Sequence, residues 1–209
     1  MMKAQINALI ILVVLSCALS YEVQAAQAAD KTLDKSNLTI LGLVVGNCTS
    51  LDVYSKLGPS IPFKDDAKPD VTQVCYVSNQ DETLILFSFE NSQCSRFRLM
   101  APKNKFHKWH FCEKSPLVSK HLATESGLKL GISKSRMKAI LGDPKHESDE
   151  TLDYVYEWKQ KMNQAEIERA SQYSKDVKKN PFWTVTAAIR AEFSENGLIL
   201  FDVIKYSQY

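Results

Sequence analysis

The 209-residue chain lacks a charge excess: 26 Lys and Arg stand against 24 Asp and Glu, a formal net charge of +2. That balance argues against the basic field of a nucleic-acid-binding protein. Beyond the N-terminal leader there is no apolar run long enough to cross a bilayer as a helix. No C-x-x-C spacing occurs, which removes the usual basis for a thiolate zinc site. The G-x-S-x-G, P-loop and dinucleotide fingerprints are missing as well. No metal, no cofactor and no nucleic-acid partner is expected.

What is present begins with a leader. Lys3 gives a positive start, Ile6 to Leu19 form a short apolar run, and Val23-Gln24-Ala25 and Ala26-Gln27-Ala28 offer small-residue cleavage patterns. This is the layout of a secretory signal peptide over residues 1–25, cleaved near 25–28. The alternative reading takes Val14-Leu15-Ser16-Cys17 as a lipobox, with cleavage before Cys17 and acylation of its thiol. The protein is thus expected to be exported, to the periplasm or medium, or as an outer-membrane lipoprotein.

Four cysteines remain after the leader, Cys48, Cys75, Cys94 and Cys112. An even count in an oxidising compartment reads as disulfides with three possible connectivities. A hairpin turning at Pro102-Lys103-Asn104 sets Cys94 opposite Cys112 and Phe97 opposite Trp109. That register predicts Cys94–Cys112, leaving Cys48–Cys75 by elimination.

Two stretches echo one another. "GLVVGNCTSLDVYSKLGPS" and "GLKLGISKSRMKAILGDP" align on Leu57-Gly58 and Leu141-Gly142, which places Thr49 on Ser133 and Val53 on Met137. Thr49 and Ser133 suit helix N-caps, the apolar residues fall at helical spacing, and Gly58 and Gly142 suit the stops. β-rich sequence follows each copy: "TQVCYVS", "TLILFSFE", "CSRFRLMA" and "FHKWHFC", then "LDYVYEWK" and a final hairpin. Self-similarity of this kind predicts an α+β protein of two similar units, residues 38–114 and 120–209, each a short capped helix on an antiparallel sheet. The final hairpin, with Gly197 left-handed, pairs Phe193 with Ile199, Ala191 with Phe201, Ile189 with Val203 and Arg190 with Asp202. Its other face, with Leu198, Leu200, Ile204 and Tyr206, is either buried or a contact surface. Between strands of the second unit, a charged helix of about twenty residues is predicted over 159–179.

Gly131, Ser133, Met137, Leu141, Gly142 and Pro144, followed by "LDYVYEW" and the Phe193–Gly197–Ile199 hairpin, resemble the SmpA/OmlA family of BamE-type outer-membrane lipoproteins. Two such units in tandem resemble the β-lactamase-inhibitor-protein-like fold. The resemblance implies a non-enzymatic protein that binds another protein or assists envelope assembly. Two units, four cysteines and an irregular lipobox depart from the single-unit lipoprotein pattern.

Catalytic candidates are thin. Ser135-x-x-Lys138 has the spacing of a serine acylase pair, but the partner motifs are missing and Ser135 aligns with Leu51. A small secreted hydrolase is therefore the weakest reading. His107 and His110 point to opposite faces of a strand and cannot share a metal ion easily. Arg98 facing Lys108, with Lys105 near, makes a basic tip suited to lipid headgroups or an acidic protein patch. Met162, Tyr173 and Val177 form a narrow stripe on the expected helix, which either covers a sheet or meets a protein partner.

Overall fold

The computed structural model describes residues 33–102 and 109–208. The expected leader, with Cys17, and the expected basic tip, with Lys105, His107 and Lys108, lie outside the described residues. A small ribbon of β1 (Thr39–Ile40) and β2 (Leu43–Val44) precedes α1 (Ser50–Leu57). Next come β3 (Phe63–Lys64), β4 (Thr72–Ser78), β5 (Leu84–Glu90), β6 (Gln93–Met100) and β7 (Glu113–Ser115). After α2 (Lys134–Leu141) follow β8 (His146–Glu147), β9 (Thr151–Lys161), α3 (Gln164–Ala170), β10 (Phe182–Ser194) and β11 (Gly197–Gln208).

Both short helices form where the echoed residues place them. The Thr49 hydroxyl accepts from Asp52 N, and Ser133 accepts from Arg136 N. Such caps satisfy amide donors that a helix start leaves without partners. Gly58 and Gly142 end the helices at φ of +94° and +85°, a conformation that costs other residues strain. Val53 and Leu57, then Met137 and Leu141, are buried. Tyr76 Oη donates to the Gly58 carbonyl at 2.7 Å, and Tyr156 Oη to the Leu141 carbonyl at 3.2 Å.

The two-unit expectation is overturned. The strands make one large sheet, ordered β3-β4-β5-β6-β11-β10-β9-β8 and antiparallel throughout, with β7 added in parallel on β4. β6 and β11 would have ended separate units. Instead they pair with each other, Leu200 with Met100 through Ile204 with Arg96. One apolar core then runs beneath the whole sheet, from Val53, Phe87 and Phe97 to Met137, Tyr154 and Phe201. A shared core and a continuous backbone ladder are cheaper than two exposed sheet edges. The protein is mostly β, with three short α-helices among the described residues.

The centre of that core is aromatic: the Phe97 ring meets Phe201 edge-on at 5.9 Å and Phe87 at 6.5 Å. Phe97 stands opposite Phe87 and Val203, so the expected pairing with Trp109 is not made on β6. Its two edges are taken by β5 and β11, while residues 109–111 form a 3-10 turn. That topology also redirects the cysteines. Because β7 runs parallel to β4, Cys112 arrives beside Cys75, and these two form the disulfide with Cα atoms 4.7 Å apart. Neither expected pairing is present. Cys48 and Cys94 are free thiols, both buried.

The last hairpin keeps Ala191–Phe201, Ile189–Val203 and Arg190–Asp202 in register. A bulge after Glu192 shifts Phe193 onto Leu198 instead of Ile199. The segment after β7 causes the shift: Gly131 N donates to the Leu198 carbonyl at 2.8 Å, and Leu198 N to the Ile132 carbonyl at 2.9 Å. A side chain at Gly197 would stand 2.6 Å from Gly131 O, so only glycine fits this crossing. The bulge turns Leu198 into the main core, and Leu200 joins a small second cluster with Cys75, Leu86 and Met100.

Candidate functional site

β9, β10 and β11 outrun most of the core, and the described residues form a polar groove at that end. β6 follows β11 only as far as Arg96 opposite Ile204. At Cys94 its backbone bonds go elsewhere: Cys94 N donates to the Cys48 carbonyl, and Gly46 N to the Cys94 carbonyl, each at 2.7 Å. Residues 46–49 thus take the place β11 would have held. β11 diverges, and from Lys205 to Gln208 it pairs with β10 alone among the described strands. The gap is a groove of about 880 Å³, with Trp183, Lys205, Gly46 and Gln93 in its walls and Tyr173 and Arg169 at its rim.

Lys205 is the unusual group. Phe201, Val203 and Lys205 alternate onto the core-facing side of β11, so the lysine occupies a position that apolar residues fill earlier in the strand. Its methylenes lie against Gly46, where any Cβ would meet Lys205 Cδ at 2.7 Å. Its Nζ stands 5.8 Å from the centre of the Trp158 ring, a cation–π contact. No described carboxylate pairs with it. Burial lowers the Lys205 pKa, because the ammonium has given up water without gaining an anion.

The other charges nearby are engaged or peripheral. Glu166 accepts from Asn163 N at 2.7 Å and completes the cap of α3. Arg169 Nε reaches the Ala165 carbonyl at 3.4 Å, and Glu90 is exposed on the rim. Among the described residues an incoming carboxylate would meet the Lys205 ammonium over the Trp158 ring, beside the stretch of β11 that pairs only with β10.

The partner surface expected from sequence is only partly brought together. Arg98 lies on the opposite sheet face and is tied to Asp202 at 3.1 Å, alongside a bidentate Arg96–Asp202 pair. Burial pushes the Asp202 carboxyl up while Arg96 draws it back down. Met162 and Val177 are buried, which removes them from any docking face; of that stripe Tyr173, 90% exposed, remains available. The expected twenty-residue helix is not formed, because residues 159–161 extend β9 and pair with 182–184 of β10. Asn163 then caps the short α3, and Ser174 caps a separate 3-10 turn, Lys175–Lys178.

Ser135 and Lys138 are each bonded to another residue. The Ser135 hydroxyl bonds Ser133 at 2.9 Å, and Lys138 Nζ holds Glu147 at 2.6 Å. His110 is exposed in its 3-10 turn. Among the described residues no group of three or more His, Cys, Asp or Glu could hold a metal, and no helix is long and apolar enough to cross a membrane. No protein-family model, curated protein or solved structure matches this chain.

Lys205, Gly46 and Trp183 escaped the sequence reading. One signal for Lys205 was there: extending the Ile189–Val203 register by two residues puts a lysine on the apolar face. The groove itself depends on residues 46–49 meeting Cys94, and no local pattern announces that contact.

Proposed function

We propose that this is an exported, non-enzymatic binding protein that takes an extended, acidic segment of a partner protein into the groove beside Lys205. The supporting observation is the half-buried ammonium with no carboxylate partner among the described residues, set beside an open strand edge. An extended segment can continue the sheet along Lys205 to Gln208, exchanging main-chain hydrogen bonds with β11. Its Asp or Glu side chain would pair with Lys205 in a setting where a charge-assisted bond is stronger than in water. Export rests on the leader pattern of Lys3 and Ile6 to Leu19, and the resemblance to SmpA/OmlA proteins favours a place in the cell envelope.

A peptide-display selection on the immobilised protein tests the binding mode. Enriched sequences should share an Asp or Glu within a strand-forming segment. Replacing that residue by its amide, or Lys205 by Met, should weaken binding roughly 10-fold or more, the scale of one lost charge-assisted bond. Enrichment without an acidic position, or equal binding to the Lys205→Met protein, would sink the proposal.

A further inference from the structure

Cys48 and Cys94 come from segments far apart in sequence that meet across one antiparallel contact. Thr49 bridges Gln93, which makes Cys48 and Cys94 the next pair in register. The Cys94 N–H donates to the Cys48 carbonyl at 2.7 Å, and the Cys94 thiol donates to the Arg96 carbonyl at 3.5 Å. Cys94 is fully buried and Cys48 is 6% exposed. Neighbouring Cα atoms in such a register fall within the span of a disulfide.

The shared contact makes the thiols unequal. Hydrogen bonding from Cys94 lowers the Cys48 pKa, whereas the contact with Cys48 and burial push the Cys94 thiol up. Cys48 is also the sulfur nearer solvent. It has the character of an attacking thiolate, and Cys94 that of the thiol which completes the exchange.

We propose that Cys48 and Cys94 are a second disulfide site, closed by exchange with an external disulfide and fastening residues 46–49 to β6 at the wall of the groove. The Cys48 thiolate attacks one sulfur of an oxidant's disulfide, a protein oxidant's or that of oxidised glutathione. The oxidant's S–S bond breaks, and one of its sulfurs leaves and takes up a proton. Cys94 then loses its proton and attacks the Cys48 sulfur, expelling the second oxidant thiol. Two cysteine thiols are oxidised to one disulfide, and one external disulfide is reduced to two thiols. Since both sulfurs are shielded, the exchange runs while the 46–49 segment is open, during folding or local unfolding.

The bond has a consequence for the groove. Gly46 and Cys94 both line it, and residues 46–49 are the wedge that separates β6 from β11. Oxidation fixes the wedge, and reduction leaves it held by backbone hydrogen bonds and by the Gln93 side-chain amide, which donates to the Gly46 carbonyl.

The protein is equilibrated in oxidised glutathione, quenched with acid, denatured, alkylated and mapped as peptides without reduction. Cys48 joined to Cys94 is expected, beside Cys75 joined to Cys112, and the Cys75→Ser/Cys112→Ser protein should still join Cys48 to Cys94. Alkylated Cys48 and Cys94 in protein whose Cys75–Cys112 bond is closed would overturn the site, as would either joined to Cys75 or Cys112. Hydrogen exchange supplies a second readout. Oxidation should slow the amides of residues 46–49 about 10-fold or more, and the Cys48→Ala/Cys94→Ala protein should show no redox response there. Equal exchange in both redox states would overturn the fastening role.

Discussion

The two ends of the sheet are built for different purposes. At the β4–β6 end the strands are short and packed on both faces: one joins the main core, and on the other Cys75, Leu86 and Met100 form a small cluster against Phe63 and Cys112. The Cys75–Cys112 bond closes that end. At the β9–β11 end the strands extend to 11, 13 and 12 residues, against 7, 7 and 8 for β4, β5 and β6. The extra length runs past most of the main core, with Val185, Met162 and Val177 buried there but Trp158, Trp183, Lys205 and Tyr206 left half-buried or exposed. Where a sheet is covered, side chains are taken up by packing; where it outruns its cover, they remain available to a ligand.

The sharpest way to break this comparison is to ask whether the ends fold apart. Phe97 sits on β6 at the junction, fully buried between Phe87 and Phe201. Phe97→Ala should cost about 3–5 kcal/mol, the range for removing a buried aromatic ring. Because one core serves both ends, thermal unfolding should stay a single transition that moves down as a whole. A scan that separates into one shifted and one unshifted transition would show two independent halves.

A similar loss, confined in its effect to one end, is expected from Cys75→Ser/Cys112→Ser. Opening a cross-link between residues 37 apart releases chain entropy worth about 4 kcal/mol at 25 °C. Denaturant unfolding should show that loss, while affinity for a selected acidic peptide, measured well below the melting temperature, should hold. Affinity that falls in step with stability would mean that the stapled end shapes the groove after all.

Much of the local structure was legible because it rests on local chemistry. Thr49 and Ser133 announce their helices by hydroxyl capping, Gly58 and Gly142 by the stop, and Leu152 to Trp158 by strict alternation. The Arg190–Asp202 register followed from hydrophobic pattern and charge agreeing. The assembly was not legible, because it turns on which edges meet. β6 had two candidate partners with equally good patterns, a local hairpin strand and the distant β11, and only the tertiary core decides between them. The wrong choice carried the cysteine pairing with it, since Cys94 faces Cys112 only in the local hairpin. The 159–179 segment misled for another reason. Its helical composition is real, but Asn163, Ser171 and Ser174 offer caps that divide it, and Lys159–Lys161 gain more by pairing with β10. The candidate site stayed hidden because a lysine in an exposed strand and one in an inward register look alike until the strand's neighbours are known.

The smallest expected effect has the opposite sign, and it tests what the open end is for. Lys205 keeps an ammonium half out of water, with the Trp158 ring as partial compensation and no described carboxylate. Lys205→Met retains the methylenes against Gly46 and removes the charge, so it should stabilise the protein by about 0.5–1 kcal/mol, modest because solvent still reaches the group. The pH dependence follows from the lowered folded-state pKa. Below that pKa both folded and unfolded chains carry the proton, and the penalty is fully present. As pH rises through it toward the ordinary lysine value of 10.5, the folded state sheds the proton first and the penalty fades. Wild type should therefore close the stability gap with Lys205→Met in alkaline buffer, while Glu90, Glu166 and Arg169, the other charges of the groove, are common to both proteins. Urea titrations of the two proteins at neutral and alkaline pH measure this directly. A Lys205→Met protein less stable than wild type at neutral pH would mean that the ammonium is already satisfied within the fold. The open end would then be given over to packing, just like the stapled one.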